Sequence, residues 1–137
     1  MPAMSIDQLN AYIAMSPFIR DWGITITEAD AERQTLAMRM PWCPEGAGAD
    51  GSDVWHGGPI ASLLDTAGAF AATMVARRNC GTISFGIDYL RPATGNLLAT
   101  ARVRKAGRSM STVEVDVTNS EGKLVAVGRG TFYVSGS

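Results

Sequence analysis

The chain has 137 residues, a formal charge of −1 at neutral pH, 46% hydrophobic and 18% charged residues. That is enough for one domain over residues 1–137 with its own core, too little for two, and too apolar for a disordered chain. So small a net charge sets up no global field to gather nucleic acid or anionic lipid, and neither is expected as a partner.

Cys43 and Cys80 are the only cysteines and His56 the only histidine. They make neither a disulfide framework nor a zinc cluster, so no metal is expected; a single bridge stays open, and a reduced pair suits a cytoplasmic protein. The first eighteen residues lack the basic opening of a secretory signal, which also points to the cytoplasm.

In chain order, residues 1–20 form an N-terminal helical segment. Ser5 offers an N-cap, and Ile6, Leu9 and Ile13 recur at helical spacing over 5–15. "WGITITEAD" and "QTLAMRMP" predict the two strands of a hairpin. Residues 43–53, "CPEGAGADGSD", are glycine-rich and polar, a loop of the kind that borders functional sites. A long helix follows from about Pro59 to Arg78, with Gly58 as N-cap, Pro59 at the first helical position, Arg77 and Arg78 in the last turn and Asn79 ending it. It is apolar all round and long enough to suggest a membrane span, but Asp65, Thr66, Thr73 and many Ala and Gly predict burial in protein instead.

Four alternating segments complete the chain: "TISFGIDYLRP", "GNLLATARVRKAG", "SMSTVEVDVTN" and "KLVAVGRGTFYV". A meander of strands after one long helix predicts an α+β fold, an antiparallel sheet curled around that helix. Charge is segregated as well. Residues 1–53 carry eight acids against three arginines, whereas residues 77–108 carry seven bases against Asp88 alone. Arginine suits bidentate phosphate contacts, although a solvated surface would read the same way.

The chemistry concentrates in "VWHGGPIASLLD", residues 54–65. A helix N-terminus offers unpaired N–H groups and partial positive charge, and glycines there let a ligand reach the backbone. The amides of Gly57 and Gly58 are therefore candidate oxyanion donors. Asp65 lies about one and two-thirds turns beyond Pro59, an ionisable group in an apolar helix whose retention suggests work. The bland alternatives are a tight turn with an incidental histidine and a structural aspartate at a subunit contact.

"HGGPIASLLDTAGAFAA", "DYLRPA" and "KAGRSMSTVEVDV" together resemble the hotdog-fold acyl-CoA thioesterases of the phenylacetate-degradation (PaaI-like) type, over about residues 20 to 135. The resemblance implies a hotdog fold and a homodimer whose sheets join edge to edge. Dimers of this family commonly pair into a homotetramer, with active sites at the dimer interface. It also implies an acyl-CoA substrate, coenzyme A as product and no further cofactor. The family's catalytic carboxylate falls on Asp65, as nucleophile or general base, and its oxyanion donor on the Gly57 amide, with Gly58 beside it. His56 matches the histidine that orients the thioester. Thr82, or second Ser84, matches a hydroxyl supplied by the facing subunit. Asp50 stands where members often carry Asn, and Asp53 where they often carry Gly; an ionised Asp only accepts hydrogen bonds.

For the phosphates of coenzyme A, the same resemblance points to Arg91, Arg104, Lys105 and Arg108, with Gly107 and Ser109 shaping the turn. Trp22, Trp42, Trp55, Phe18 and Phe70 are either pocket lining or core. Two further readings stay open at this stage: a non-catalytic acyl-CoA binder, and an enoyl-CoA hydratase or dehydratase using His56 and Asp65.

Overall fold

The computed structural model describes residues 2–136. Helix α1 (Ile6–Ala14) opens with a capping box, Ser5 and Gln8 each bonding the other's backbone N–H. A short helix α2 (Pro17–Asp21), which the sequence reading did not separate from the first, is capped by Ser16 with Pro17 at its first position. Ser-Pro was the signal for it.

Six antiparallel strands follow: β1 (Thr25–Asp30), β2 (Thr35–Met40), β3 (Cys80–Tyr89), β4 (Leu97–Ala106), β5 (Met110–Thr118) and β6 (Leu124–Val134). They form one sheet in the order β1-β2-β4-β5-β6-β3. The expected meander holds for β4, β5 and β6 only. β3 does not pair with its successor β4; it lies at the far edge against β6, while β2 takes the place beside β4. Alternation along a strand identifies which face is buried but carries no information about which neighbour it takes.

Helix α3 (Gly57–Ala76) lies across the sheet and contacts β2, β3, β4, β5 and β6. By length and composition it would pass for a membrane span, yet over half of its apolar window is buried within the protein. Ile60, Leu63, Leu64, Ala67, Gly68 and Phe70–Met74 face inward. Their partners are the alternate residues of the strands, among them Leu97, Ala99, Ala101, Val113, Val115, Val117 and Phe132. Close approach depends on small residues: a Cβ on Gly68 would stand 2.9 Å from the Phe132 ring. Phe132 in turn meets Phe85 edge to face, with centroids 6.1 Å apart.

Three details of α3 differ from the sequence expectation. His56, not Gly58, is the N-cap, so the helix begins at Gly57. At the other end Arg77 adopts a left-handed conformation (φ 60°), its N–H bonding the Thr73 carbonyl, so the helix stops before Arg78 and Asn79. The helix is also not buried all round. Ala61, Ser62, Asp65, Thr66 and Ala69 remain partly exposed and share one face.

Candidate active site

Local hydrogen bonds fasten the HGG motif from both sides. The glycine-rich loop folds back on it: Gly48 N–H donates to the Val54 carbonyl at 2.9 Å and His56 N–H to the Gly46 carbonyl at 2.7 Å. From the other side, Trp55 N–H reaches the Ala93 carbonyl at 2.9 Å, and its indole N–H reaches the Gly95 carbonyl at 2.8 Å. Trp55 is buried, edge-on to Trp42 at 4.9 Å and beside Trp22 at 6.4 Å. These tryptophans are packed as a cluster, and Phe70 is buried in the core.

The His56 imidazole accepts the Gly58 N–H on Nδ1 at 3.0 Å. That bond assigns the ring proton to Nε2, so the side chain presents a donor to solvent. It also removes Gly58 from the pair of candidate oxyanion amides. Among the described residues, the Gly57 N–H meets no acceptor, and it stands at the positive end of a twenty-residue helix.

The structure brings Asp65 and Thr82 together within one chain, the Thr82 hydroxyl donating to Asp65 Oδ1 at 2.5 Å. This corrects the expectation that Asp65 would meet that hydroxyl only across a subunit boundary. Ser84, two residues on, is exposed and lies just past an irregularity in the β3–β6 register. Asp65 is half-buried on the open face of α3.

Geometry separates the two ends of the motif. Gly57 and Asp65 are eight residues apart on one helix, so about 12 Å lies between them along its axis. A carbonyl held at one Gly57 amide is therefore out of reach of the same chain's Asp65. One chain therefore holds two separate groupings of candidate residues: Gly57 with His56, and Asp65 with Thr82.

The other candidate residues are dispersed. Asp50 and Asp53 are exposed and border a hollow of about 790 Å³ with Trp42 and Glu45, a hollow that does not include Asp65. Arg91 borders a cavity of about 400 Å³ shared with Trp55, Gly57, Ile60, Tyr89 and Leu90. Arg104, Lys105 and Arg108 are exposed at the opposite end of the sheet, by the turn in which Gly107 N–H bonds the Met110 carbonyl and the Ser109 carbonyl accepts from Val134. The register sets Tyr89 against Ala126 and Met110 against Tyr133, so this basic cluster and Arg91 are roughly 25 Å apart along the strands. Arg104 is in addition 3.5 Å from Glu114 in an exposed ion pair.

Sequence reasoning missed one residue here. The Tyr89 hydroxyl donates to the Gly57 carbonyl at 2.9 Å. It sits in the "DYLRPA" stretch, and only the tertiary fold reveals its partner.

Comparison with known proteins accords with this architecture. The family model described as "Thioesterase superfamily" matches residues 53–126. A protein of Halobacterium salinarum is 32% identical over 93% of this chain and 95% of its own length. The medium/long-chain acyl-CoA thioesterase YigI of Escherichia coli is 27% identical over 90% of this chain and 88% of its own. The acyl-coenzyme A thioesterase PaaI of Escherichia coli is 36% identical over 59% of each chain. The solved PaaI structure superposes with a TM-score of 0.84 at 26% identity, covering 97% of this chain and 98% of that one. The chain belongs to the thioesterase superfamily and carries its hotdog fold.

Proposed function

We propose that this thioester hydrolase cleaves acyl-CoA to the free acid and coenzyme A at a site built by two subunits. The observation that carries this is the pair of half-sites: an unpartnered Gly57 amide at a helix N-terminus, and Asp65 held by Thr82 about 12 Å along the same helix. Each chain carries both halves too far apart to act together, and a two-fold axis brings the Gly57 half of one chain to the Asp65 half of its mate.

Edge strand β3 supports a partner in that position. It is ten residues long, pairs only with β6, and leaves Ile83, Tyr89 and the following Leu90 half exposed. The opposite edge, β1, is only six residues with Glu28 and Asp30 along it, features that discourage edge pairing. Antiparallel pairing of two β3 strands brings the start of one beside the end of the other. That arrangement carries the Arg104, Lys105 and Arg108 cluster of one subunit toward the Gly57 and Arg91 end of its mate, where the phosphates of coenzyme A have a use for it. Pairing of such dimers would give a tetramer.

In this site the Gly57 N–H stabilises the thioester oxygen as negative charge develops, and the His56 Nε2–H is a second donor near it. Asp65 either attacks the carbonyl carbon, forming a mixed anhydride that water then hydrolyses to the free acid and the carboxylate, or takes a proton from a water that attacks the carbonyl directly. Coenzyme A leaves as its thiolate and needs no further cofactor. The reduced cysteines suit a cytoplasmic setting.

The test is thiol release across short, medium, long and aromatic acyl-CoAs, with Asp65→Ala alongside. Turnover by the native protein and its loss in the variant is the expected result. Tight acyl-CoA binding with no thiol release would make the protein a non-catalytic binder. Enoyl-CoA hydration without thiol release would make it a hydratase.

A further inference from the structure

The peptide unit between Gly57 and Gly58 is gripped at both ends by side chains. Its carbonyl accepts from the Tyr89 hydroxyl at 2.9 Å, and its N–H donates to His56 Nδ1 at 3.0 Å. The hydroxyl end of the Tyr89 ring lies beside the Gly57 Cα, since a Cβ built on Gly57 would stand 3.4 Å from the ring carbon that bears the hydroxyl. Gly57 and Gly58 are the first two residues of α3, and with no side chains to restrict φ and ψ this first turn would fray readily without the two bonds. A planar peptide held at its oxygen and its nitrogen cannot rotate. Fixing that plane holds the Gly57 Cα from one side, and the His56 N–H bond to the Gly46 carbonyl at 2.7 Å holds the preceding residue from the other, so the intervening His56–Gly57 peptide, which carries the Gly57 N–H, is anchored at both ends.

We propose that Tyr89 is a positioning residue that, with His56, clamps the Gly57–Gly58 peptide and so aims the Gly57 amide at the developing oxyanion. This rests on the thioesterase reading of the site. An oxyanion donor contributes in proportion to how little it must reorganise when charge appears, so the clamp acts on the transition state more than on bound substrate. Tyr89 itself need not touch substrate. It borders the cavity of about 400 Å³ that opens beside Gly57, and it reaches the motif from β3, a strand that follows α3 in the chain.

The experiment compares the native protein with Tyr89→Phe, which keeps the ring and removes the hydroxyl. Three quantities are measured: kcat and KM on the best acyl-CoA substrate, melting temperature, and NMR-detected exchange of the Gly58 amide. The expected result is a kcat lower by about three- to tenfold with KM within about twofold, the loss of one hydrogen bond expressed in the transition state. Gly58 exchange should quicken at unchanged melting temperature. A purely structural tyrosine would lower the melting temperature and leave kcat alone. An unaltered kcat, or a rise confined to KM, overturns the proposal. If the native protein cleaves no acyl-CoA, the functional reading fails by itself; the exchange of Gly58 then decides the clamp, and unchanged exchange in Tyr89→Phe overturns it.

Discussion

The Thr82 hydroxyl donates to Asp65 Oδ1 at 2.5 Å, joining edge strand β3 to the open face of helix α3 within one chain. The bond orients the carboxylate while leaving its second oxygen free for chemistry. It also ties the candidate catalytic carboxylate to the strand proposed to meet the partner subunit.

Asp65→Asn keeps the shape of the side chain and removes its charge. Thiol release should fall by about 10²- to 10⁴-fold, the range of a lost base or nucleophile. Circular dichroism and the melting temperature should be nearly unchanged, because Asp65 is only half-buried. An Asn variant that turns over at the native rate would remove Asp65 from the mechanism.

Thr82→Val should lower kcat by roughly tenfold, since the lost bond is to a charged group, whereas Thr82→Ser should retain most activity. The comparison is kinetic and uses one acyl-CoA throughout. Equal activity in the two variants would show that the hydroxyl has no role.

A composite site requires assembly. Sedimentation velocity of the native protein should give a dimer or a tetramer, and Ile83→Lys, a charge on the exposed apolar part of β3, should shift it toward monomer and reduce thiol release in parallel. A fully active monomer would refute the two-subunit site.

Burial pushes the Cys80 thiol above its ordinary pKa, with the Thr73 hydroxyl acting in the opposite direction. The sign follows directly. The unfolded thiol ionises first as pH rises, so the associated stability is complete below the ordinary thiol range and is lost through the alkaline interval up to the raised folded value. Urea midpoints measured from pH 7 to pH 10.5 should therefore fall less steeply for Cys80→Ala than for the native chain. Parallel profiles would count against a buried, protonated thiol.

Gly68→Ala tests the fit of α3 on the sheet. The new methyl would lie 2.9 Å from Phe132 and 3.3 Å from Phe85. Overpacking costs about 1–3 kcal/mol, offset by up to about 1 kcal/mol of helix propensity. The net expectation is a melting temperature lower by several degrees, read by calorimetry. A more stable variant would show that the two rings yield easily.

Much of this was legible in the residues themselves. Period-two alternation in "STVEVDV" and its neighbours marks the strands, Ser5 with Ile6, Leu9 and Ile13 marks the first helix, and "HGGP" followed by an apolar run marks the beginning of α3, because each depends only on contacts within a few residues. The hotdog resemblance rested on those same local motifs, and the family comparison bears it out. Tertiary structure alone decided two things. It placed β3 against β6, since strand pairing is a long-range choice that alternation does not encode. It brought Thr82 to Asp65 and Tyr89 to Gly57, contacts spanning 17 and 32 residues. The separation of Gly57 from Asp65, by contrast, already follows from the predicted helix, which holds residues eight apart about 12 Å from one another along its axis.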